Sequence, residues 1–130
     1  MNSIQKIAKN GLILIFSLSI VFHLLVLLQI IPHTIVWGGR ITNLSQMYVF
    51  ETVSIFINLI FLFIILLKLK ILRIQFPEKI LPVALWVMFT LFLLNTVGNL
   101  FSTSGLERII FTPITLLSSI FIFALVSSKE

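Results

Sequence analysis

Residues 32–51 read PHTIVWGGRITNLSQMYVFE and form the longest break in an otherwise apolar sequence. The break opens with a proline, contains a Trp-Gly-Gly-Arg run at 37–40, and ends at Glu51, where the next apolar run has already begun. Proline and paired glycines are typical of turns. The stretch therefore predicts a reversal of the chain between two apolar segments. The arginine and the glutamate at its two ends indicate polar chemistry beside an apolar segment.

The composition predicts a membrane protein. Of 130 residues, 59% are hydrophobic and 10% are charged, whereas soluble domains have roughly 25% charged residues. No Asp, Glu, Lys or Arg occurs in 10–39, 52–67, 80–106 or 109–128, and a helix needs roughly 20 apolar residues to cross the hydrocarbon core. We therefore expect an all-α membrane protein with a single domain over 1–130. Its four transmembrane helices should form an antiparallel bundle, at about 10–31, 47–68, 80–101 and 107–127.

The connection KLKILRIQFPEK at 68–79 carries apolar residues at helical spacing and ends near Pro77, which predicts a helical extension at the membrane interface. The halves of the chain show no internal repeat, which argues against an inverted-repeat transporter. The sequence has no cysteine, which excludes thiol-disulfide chemistry and thiolate metal sites.

The distribution of Lys and Arg predicts the orientation. The N-terminus, the 68–79 connection and the C-terminus lie on one side of the predicted bundle and carry seven of these residues, against two on the other side. Because cytoplasmic loops are enriched in Lys and Arg, we expect both termini in the cytoplasm and the 32–47 break outside. The net charge of +5 follows this topology, so we expect no nucleic-acid partner.

Polar residues recur on one face of each helix, beginning with Ser19 and His23 in the first. The second helix carries Glu51, Ser54 and Asn58, and the third carries Asn95, Asn99 and Ser102, with Gly98 expected to allow close approach. The fourth carries Thr112, Thr115 and Ser119. We expect these faces to meet in a recess that opens outside and is sealed toward the cytoplasm, with His23 and Asn58 at its floor. Hydrogen bonding between packed helices is the alternative explanation of the same pattern.

The acidic and basic residues of the predicted outer side need partners. Glu51 and Glu107 can each meet Arg40 or Arg108. Such a network either pins the outer loops to the bundle or binds a polar or anionic group with arginine as a clamp. Trp37 either belongs to the aromatic belt at the membrane interface or covers the recess. Gly38 and Gly39 could offer backbone N–H groups to an anion.

The two histidines are not expected to take part in this network. His23 is predicted to lie too far from Glu51 in depth to be its partner, and His33 should be solvated. Two histidines without further ligands predict no metal site, and we expect no cofactor and no catalytic residue. The residues predicted to line the recess are Trp37, Gly38, Gly39, Arg40, Glu51, Asn58, Asn95, Asn99, Glu107 and Arg108.

Two patterns carry a resemblance. Trp37-Gly38-Gly39-Arg40 with Glu51, and Asn95-Thr96-x-Gly98-Asn99 followed by Ser102 and Glu107, resemble a pattern in small four-helix membrane proteins of bacteria. The resemblance covers nearly the whole chain and implies a bacterial setting, with no established activity. Small multidrug exporters carry a glutamate in their first helix, which is missing here, and dual-topology fluoride channels conflict with the charge bias. Sterol-isomerase-like proteins, with acids and a histidine in the bundle, offer a loose analogy for a membrane pocket.

The leading hypothesis is a multi-pass protein of the bacterial cytoplasmic membrane whose recess binds a small polar molecule or a lipid headgroup, as a receptor-like or accessory subunit. Three alternatives stay open: a small transporter or channel subunit, a membrane-embedded lipid-modifying enzyme, and a structural subunit of a larger membrane complex. The expected partners are the lipid bilayer and a lipid or small-molecule ligand. A homo-oligomer of the chain, or the other subunits of a larger membrane complex, are further candidate partners.

Overall fold

The computed structural model describes residues 2–37 and 40–127, and over these ranges the chain is helical with no strand. The helices are α1 (Ser3–Leu27), α2 (Leu44–Lys68), α3 (Ile80–Leu100) and α4 (Thr112–Val126). A 3-10 turn at His33–Ile35 precedes α2, and a π-helical turn at Glu107–Phe111 leads directly into α4. Four helical segments in the described chain are long and apolar enough to cross a membrane, the fourth running Glu107–Val126. The predicted all-α, four-helix membrane fold is confirmed.

The helices pack in an antiparallel bundle with two distinct ends. Helix α1 packs against α2 and α4, α4 also packs against α3, and α2 touches α3 only lightly. One apolar cluster joins the start of α1 to the end of α2, the start of α3 and the end of α4. We call this half the termini end, and the half beside residues 28–43 and 101–106 the loop end. A second cluster at the loop end contains Val26, Val36, Ile41 and Met47.

Local caps set the helix ends, and three of them differ from the prediction. Helix α1 begins seven residues earlier than expected, because Asn2 and Gln5 form a reciprocal capping box. It ends at Leu27 because Gln29 adopts a left-handed conformation with φ 62. The N–H groups of Gln29 and Ile30 then bond back to Val26 and Leu25, each at 2.9 Å, in a Schellman motif. Helix α2 begins at Leu44 because Asn43 caps it, accepting from the Gln46 N–H at 2.9 Å.

The predicted helical extension after α2 is wrong. Lys70, with φ 58, closes α2 with a second Schellman motif, in which the N–H of Ile71 bonds to Leu66 at 3.0 Å. Residues 71–79 then run as bends, coil and a final turn without helix. The apolar periodicity there was misleading, because a left-handed residue ends a helix whatever the pattern that follows it.

The glycine predicted to allow close approach is also the wrong one. Gly98 is exposed, and a Cβ added to it would meet nothing within 4 Å. The close approach occurs at Gly11 in α1, where an added Cβ would lie 2.3 Å from the ring of Phe121 in α4. A glycine is therefore required where α1 meets α4 at the termini end.

Candidate functional site

The loop end contains a cavity of about 550 Å³ between the four helices. Its polar lining residues are Ser19, His23, Trp37, Ser54, Asn58, Asn95, Asn99, Glu107, Thr115 and Ser118. Its apolar lining residues are Ile15, Leu18, Phe22, Val36, Ile57, Phe61, Leu91, Phe92, Phe111 and Ile114. The polar faces of α2, α3 and the last helix therefore meet around one space. Five of the predicted recess residues line it: Trp37, Asn58, Asn95, Asn99 and Glu107.

Glu51 lies directly behind the cavity wall and holds two of its lining residues. Its side chain is fully buried, and its Oε2 lies 2.5 Å from Nδ1 of His23. Its Oε1 accepts a hydrogen bond from the indole N–H of Trp37 at 3.2 Å. A ring nitrogen of His23 and the indole N–H of Trp37 thus each face one of the two carboxyl oxygens. The contact orients the imidazole, so that Nδ1 faces Glu51 while the ring, 19% exposed, borders the cavity.

The expectation that His23 and Glu51 lie at different depths is wrong. It assumed that α1 continues to residue 31, which would place His23 near mid-membrane. Because α1 ends at Leu27, His23 lies about 6 Å from the helix end at 1.5 Å per residue. Glu51 lies about 10 Å inside the start of α2 by the same measure. The two side chains are therefore near one another in depth and meet.

Trp37 occupies a strained position above Glu51. Its φ of 54 is left-handed, which costs a residue with a side chain about 1–2 kcal/mol. The indole N–H bond to Glu51 and the contact with Phe50, at 5.1 Å between ring centroids, stabilise this conformation. Such strain persists where the surrounding structure fixes it, commonly at functional sites. Trp37 is 43% exposed and also lines the cavity, as expected of a cover.

The predicted pairing of Glu51 with an arginine is wrong. Arg40 and Arg108 are exposed, and neither lines the cavity. Within residues 2–37 and 40–127, neither guanidinium forms a salt bridge. The backbone N–H of Arg40 donates to the carbonyl of Trp37 at 3.1 Å. The long side chain of Arg40 lies at the surface. Gly38 and Gly39 lie outside the described residues.

Glu107 is the acid that lines the cavity, and the π-helical turn presents it there. The side chain is only 5% exposed. Its carbonyl accepts from the Thr112 hydroxyl at 3.3 Å. The proline at 113 has no N–H to donate, so the regular helical bond to the preceding turn is absent. Turns of this kind are often found at functional sites, and no feature of the sequence predicted it.

Several of the polar residues bond within their own helices, as the packing alternative expected. The hydroxyl of Ser54 donates to the carbonyl of Phe50 at 2.9 Å, and that of Ser119 to Leu116 at 2.6 Å. Bonds between helices are also present, because Thr96 of α3 meets Thr115 of α4 at 3.0 Å between hydroxyl oxygens. Ser102, Thr112 and Ser119 do not line the cavity.

The second histidine lies outside the site. His33 is half-buried in its 3-10 turn, and its Nδ1 is buried without a hydrogen-bond partner, so the expectation that it is solvated is wrong. Among the described residues, no three His, Cys, Asp or Glu side chains come together as a metal site would require.

Sequence reasoning noticed Ser19 and His23 on one face of α1 but missed the aromatic rings beside them. Phe22 and Phe111 both line the cavity and pack edge to face, at 5.1 Å between centroids. The signal that could have found them is position, since Phe22 lies one residue before His23 and Phe111 one turn after Glu107.

In comparisons with known proteins, no protein-family model, curated protein or solved structure matched this chain. The chemistry of the site therefore rests on its own geometry.

Proposed function

We propose that the protein binds a small amphipathic molecule, a lipid or a lipid-like ligand, in the loop-end cavity. The observation that carries this proposal is the polar-to-apolar gradient along three of the four helices of the cavity wall. On α4 the lining ends with Ser118, whose hydroxyl donates to the carbonyl of Ile114. From the loop end toward the middle of the bundle, α1 changes from His23 to Ile15, α2 from Ser54 to Phe61, and α3 from Asn99 to Leu91. The polar head of such a ligand would lie beside His23, Ser54 and Asn99, and its apolar tail beside Ile15, Phe61 and Leu91. Both parts of the ligand would then be in an environment of matching polarity.

The lateral side of the bundle supports a route from the lipid. Helices α2 and α3 touch only lightly. Ile57 of α2 and Leu91 of α3 line the cavity and are also 39% and 41% exposed. The cavity therefore reaches the bundle surface between these two helices, where lipid tails would meet it. Its volume lies within the roughly 300–1,000 Å³ of small-molecule sites.

The proposed setting is a bacterial cytoplasmic membrane with both termini inside. The seven-to-two distribution of Lys and Arg supports this orientation. The loop end would then face outward, and the ligand would come from the outer leaflet or the space beyond it.

Native mass spectrometry on gently extracted protein tests the binding function. The unsubstituted protein should retain a small amphipathic adduct. Ile57→Trp should remove it, because the larger ring projects into the cavity. Ile60→Trp is the matched control, because Ile60 is similarly exposed on α2 but does not line the cavity. Equal adduct occupancy in the two variants, or no adduct in the unsubstituted protein, would contradict the proposal.

The contact between His23 and Glu51 favours a membrane-embedded enzyme as a second candidate. A carboxylate that orients an imidazole through Nδ1 leaves Nε2 to exchange a proton with a bound molecule. Deuterium incorporation at carbon atoms of the ligand, recovered after incubation in D₂O, would measure such exchange, because hydrogens on nitrogen and oxygen exchange without an enzyme. His23→Gln should abolish the incorporation while the adduct remains bound. Incorporation that is unchanged in this variant would exclude the enzyme.

A further inference from the structure

Three of the four hydroxyl groups that line the cavity donate their protons within the bundle, and the fourth belongs to Ser19. Ser54 donates to Phe50, Thr115 to Phe111 and Ser118 to Ile114, each to a backbone carbonyl at 2.8–2.9 Å. A hydroxyl has one proton and two acceptor lone pairs. Thr115 already accepts from two neighbours in α3, so Ser54 and Ser118 are the two of these three that present acceptor oxygens to a ligand.

Four side-chain nitrogens of the wall have a partner, whereas the amide of Asn95 has none among the described residues. Trp37 Nε1 and His23 Nδ1 both face Glu51. Asn58 donates through Nδ2 to the Ser54 carbonyl at 2.8 Å, and Asn99 through Nδ2 to the Thr115 hydroxyl at 3.4 Å. Each of these amide bonds uses one of two N–H groups and leaves the amide oxygen as an acceptor. With the amide oxygens, two serine oxygens and the carboxyl group of Glu107, the wall offers more acceptors than unused N–H groups.

Among the described residues, the cavity wall carries an acidic side chain and no lysine or arginine. Glu107 lines the cavity together with His23, and the carboxyl group of Glu51 lies directly behind them. Both arginines of this end lie outside the cavity, so an anionic ligand would meet no guanidinium group there.

Aromatic rings surround the same space. Phe22, Trp37 and Phe111 line the cavity at the level of His23 and Glu107. The faces of such rings attract ammonium groups, most strongly where water is excluded.

We propose that the ligand's polar head is cationic, an ammonium group on an apolar tail. This inference rests on the proposed binding function and deepens it. The ammonium N–H groups would bond to the amide and hydroxyl oxygens, its charge would be met by Glu107, and the rings would enclose it. The tail would lie along Leu18, Phe61 and Leu91.

Trp37 supplies a fluorescence reporter for the test. In Trp86→Phe it is the only tryptophan, and in Trp37→Phe the remaining Trp86 lies outside the cavity lining and reports partition into the bilayer. The protein is placed in nanodiscs of digalactosyldiacylglycerol, an uncharged lipid without an ammonium group. It is titrated with octylammonium, octanol and octanoate, which all have eight carbon atoms and differ in the polar head. After correction for the partition that Trp86 reports in Trp37→Phe, octylammonium should bind Trp86→Phe about tenfold more tightly than octanol. Octanoate should bind more weakly than octanol.

The charge of Glu107 supplies the matched pair of variants. Glu107→Gln should weaken octylammonium binding about tenfold and weaken octanol binding far less, because only the ammonium group carries a charge. Glu78→Gln, which changes an exposed acid in the connection after α2, should alter neither. If Glu107→Gln does not fold, the three probes on the protein with Glu107 still decide the inference.

The outcomes separate the two proposals. Saturable binding of octanol or octanoate at least as tight as that of octylammonium would overturn the cationic head while leaving the binding function intact. No saturable response of Trp37 to any probe would overturn both. With octylammonium bound, competition by added phosphatidylethanolamine would identify a membrane amine lipid as the source of the ammonium group. If phosphatidylethanolamine does not compete, the source of the ammonium group is a free hydrophobic amine.

Discussion

The two ends of the bundle differ in how their interior is filled. At the termini end, Ala8, Leu12, Ile65 and Ile122 are fully buried among other apolar side chains, and Gly11 lets α1 and α4 meet closely. At the loop end, the same four helices surround a cavity and bury two carboxyl groups, beneath a tryptophan in a strained conformation. The comparison suggests that the termini end supplies packing while the loop end is kept open for a ligand. Substitutions can test this division.

The largest expected effect is at Glu51. Glu51→Ala leaves His23 and Trp37 without their acceptor, and removing one member of a buried pair costs about 3–5 kcal/mol. The free energy of unfolding, measured in a mild detergent with increasing denaturant, should fall by that amount. Glu78→Ala is the control and should change it by less than about 0.5 kcal/mol, since surface substitutions rarely do more. A small effect of Glu51→Ala would mean that the loop end contributes little stability.

The next largest effect compares packing at the two ends. Leu12→Ala in the termini-end core should lower the free energy of unfolding by about 2–4 kcal/mol, because it leaves a void among packed neighbours. Ile114→Ala should cost less than about 1 kcal/mol, because Ile114 is 37% exposed and already borders the cavity. The same unfolding assay measures both. Equal losses would remove the distinction between a packed half and an open half.

The smallest effect concerns a feature that the two ends share. Gln29 and Lys70 are both left-handed residues that end a helix, so glycine should fit either position better. Lys70→Gly should raise the free energy of unfolding by about 0.5–1 kcal/mol. Gln29→Gly should gain less, since Gln29 also donates to the Tyr48 hydroxyl at 3.1 Å. If Gln29→Gly gains more than Lys70→Gly, the loop end is strained beyond Trp37.

The sequence predicted the helices because a membrane span has a simple signature, a charge-free apolar run. Their ends were predicted less well. At Gln29 and Lys70 the left-handed position is filled by a residue other than glycine, so the usual stop signal is missing. The extension over 71–79 was mistaken for a helix for the same reason.

The site was predicted in outline, because costly polar residues inside a membrane tend to face one another. Asn58, Asn95, Asn99 and Glu107 do line one cavity. The partner of Glu51 was not predictable by the same reasoning, since the choice between an arginine and His23 depends on where α1 ends. It also depends on a turn that directs the indole N–H of Trp37 inward. Neither is encoded in the periodicity of apolar residues.

The π-helical turn at 107–111 holds one more residue than an α-helical turn would hold between the same two points. Removing one residue from it, such as the exposed Ile109, would leave an ordinary α-helical turn with Glu107 in nearly its present direction relative to α4. In the octylammonium titration, this deletion should therefore resemble the unsubstituted protein. A deletion within a regular α-helix would instead rotate the preceding residues by about 100°. The acidic side of the cavity would thus survive a change in chain length that an α-helical segment does not tolerate.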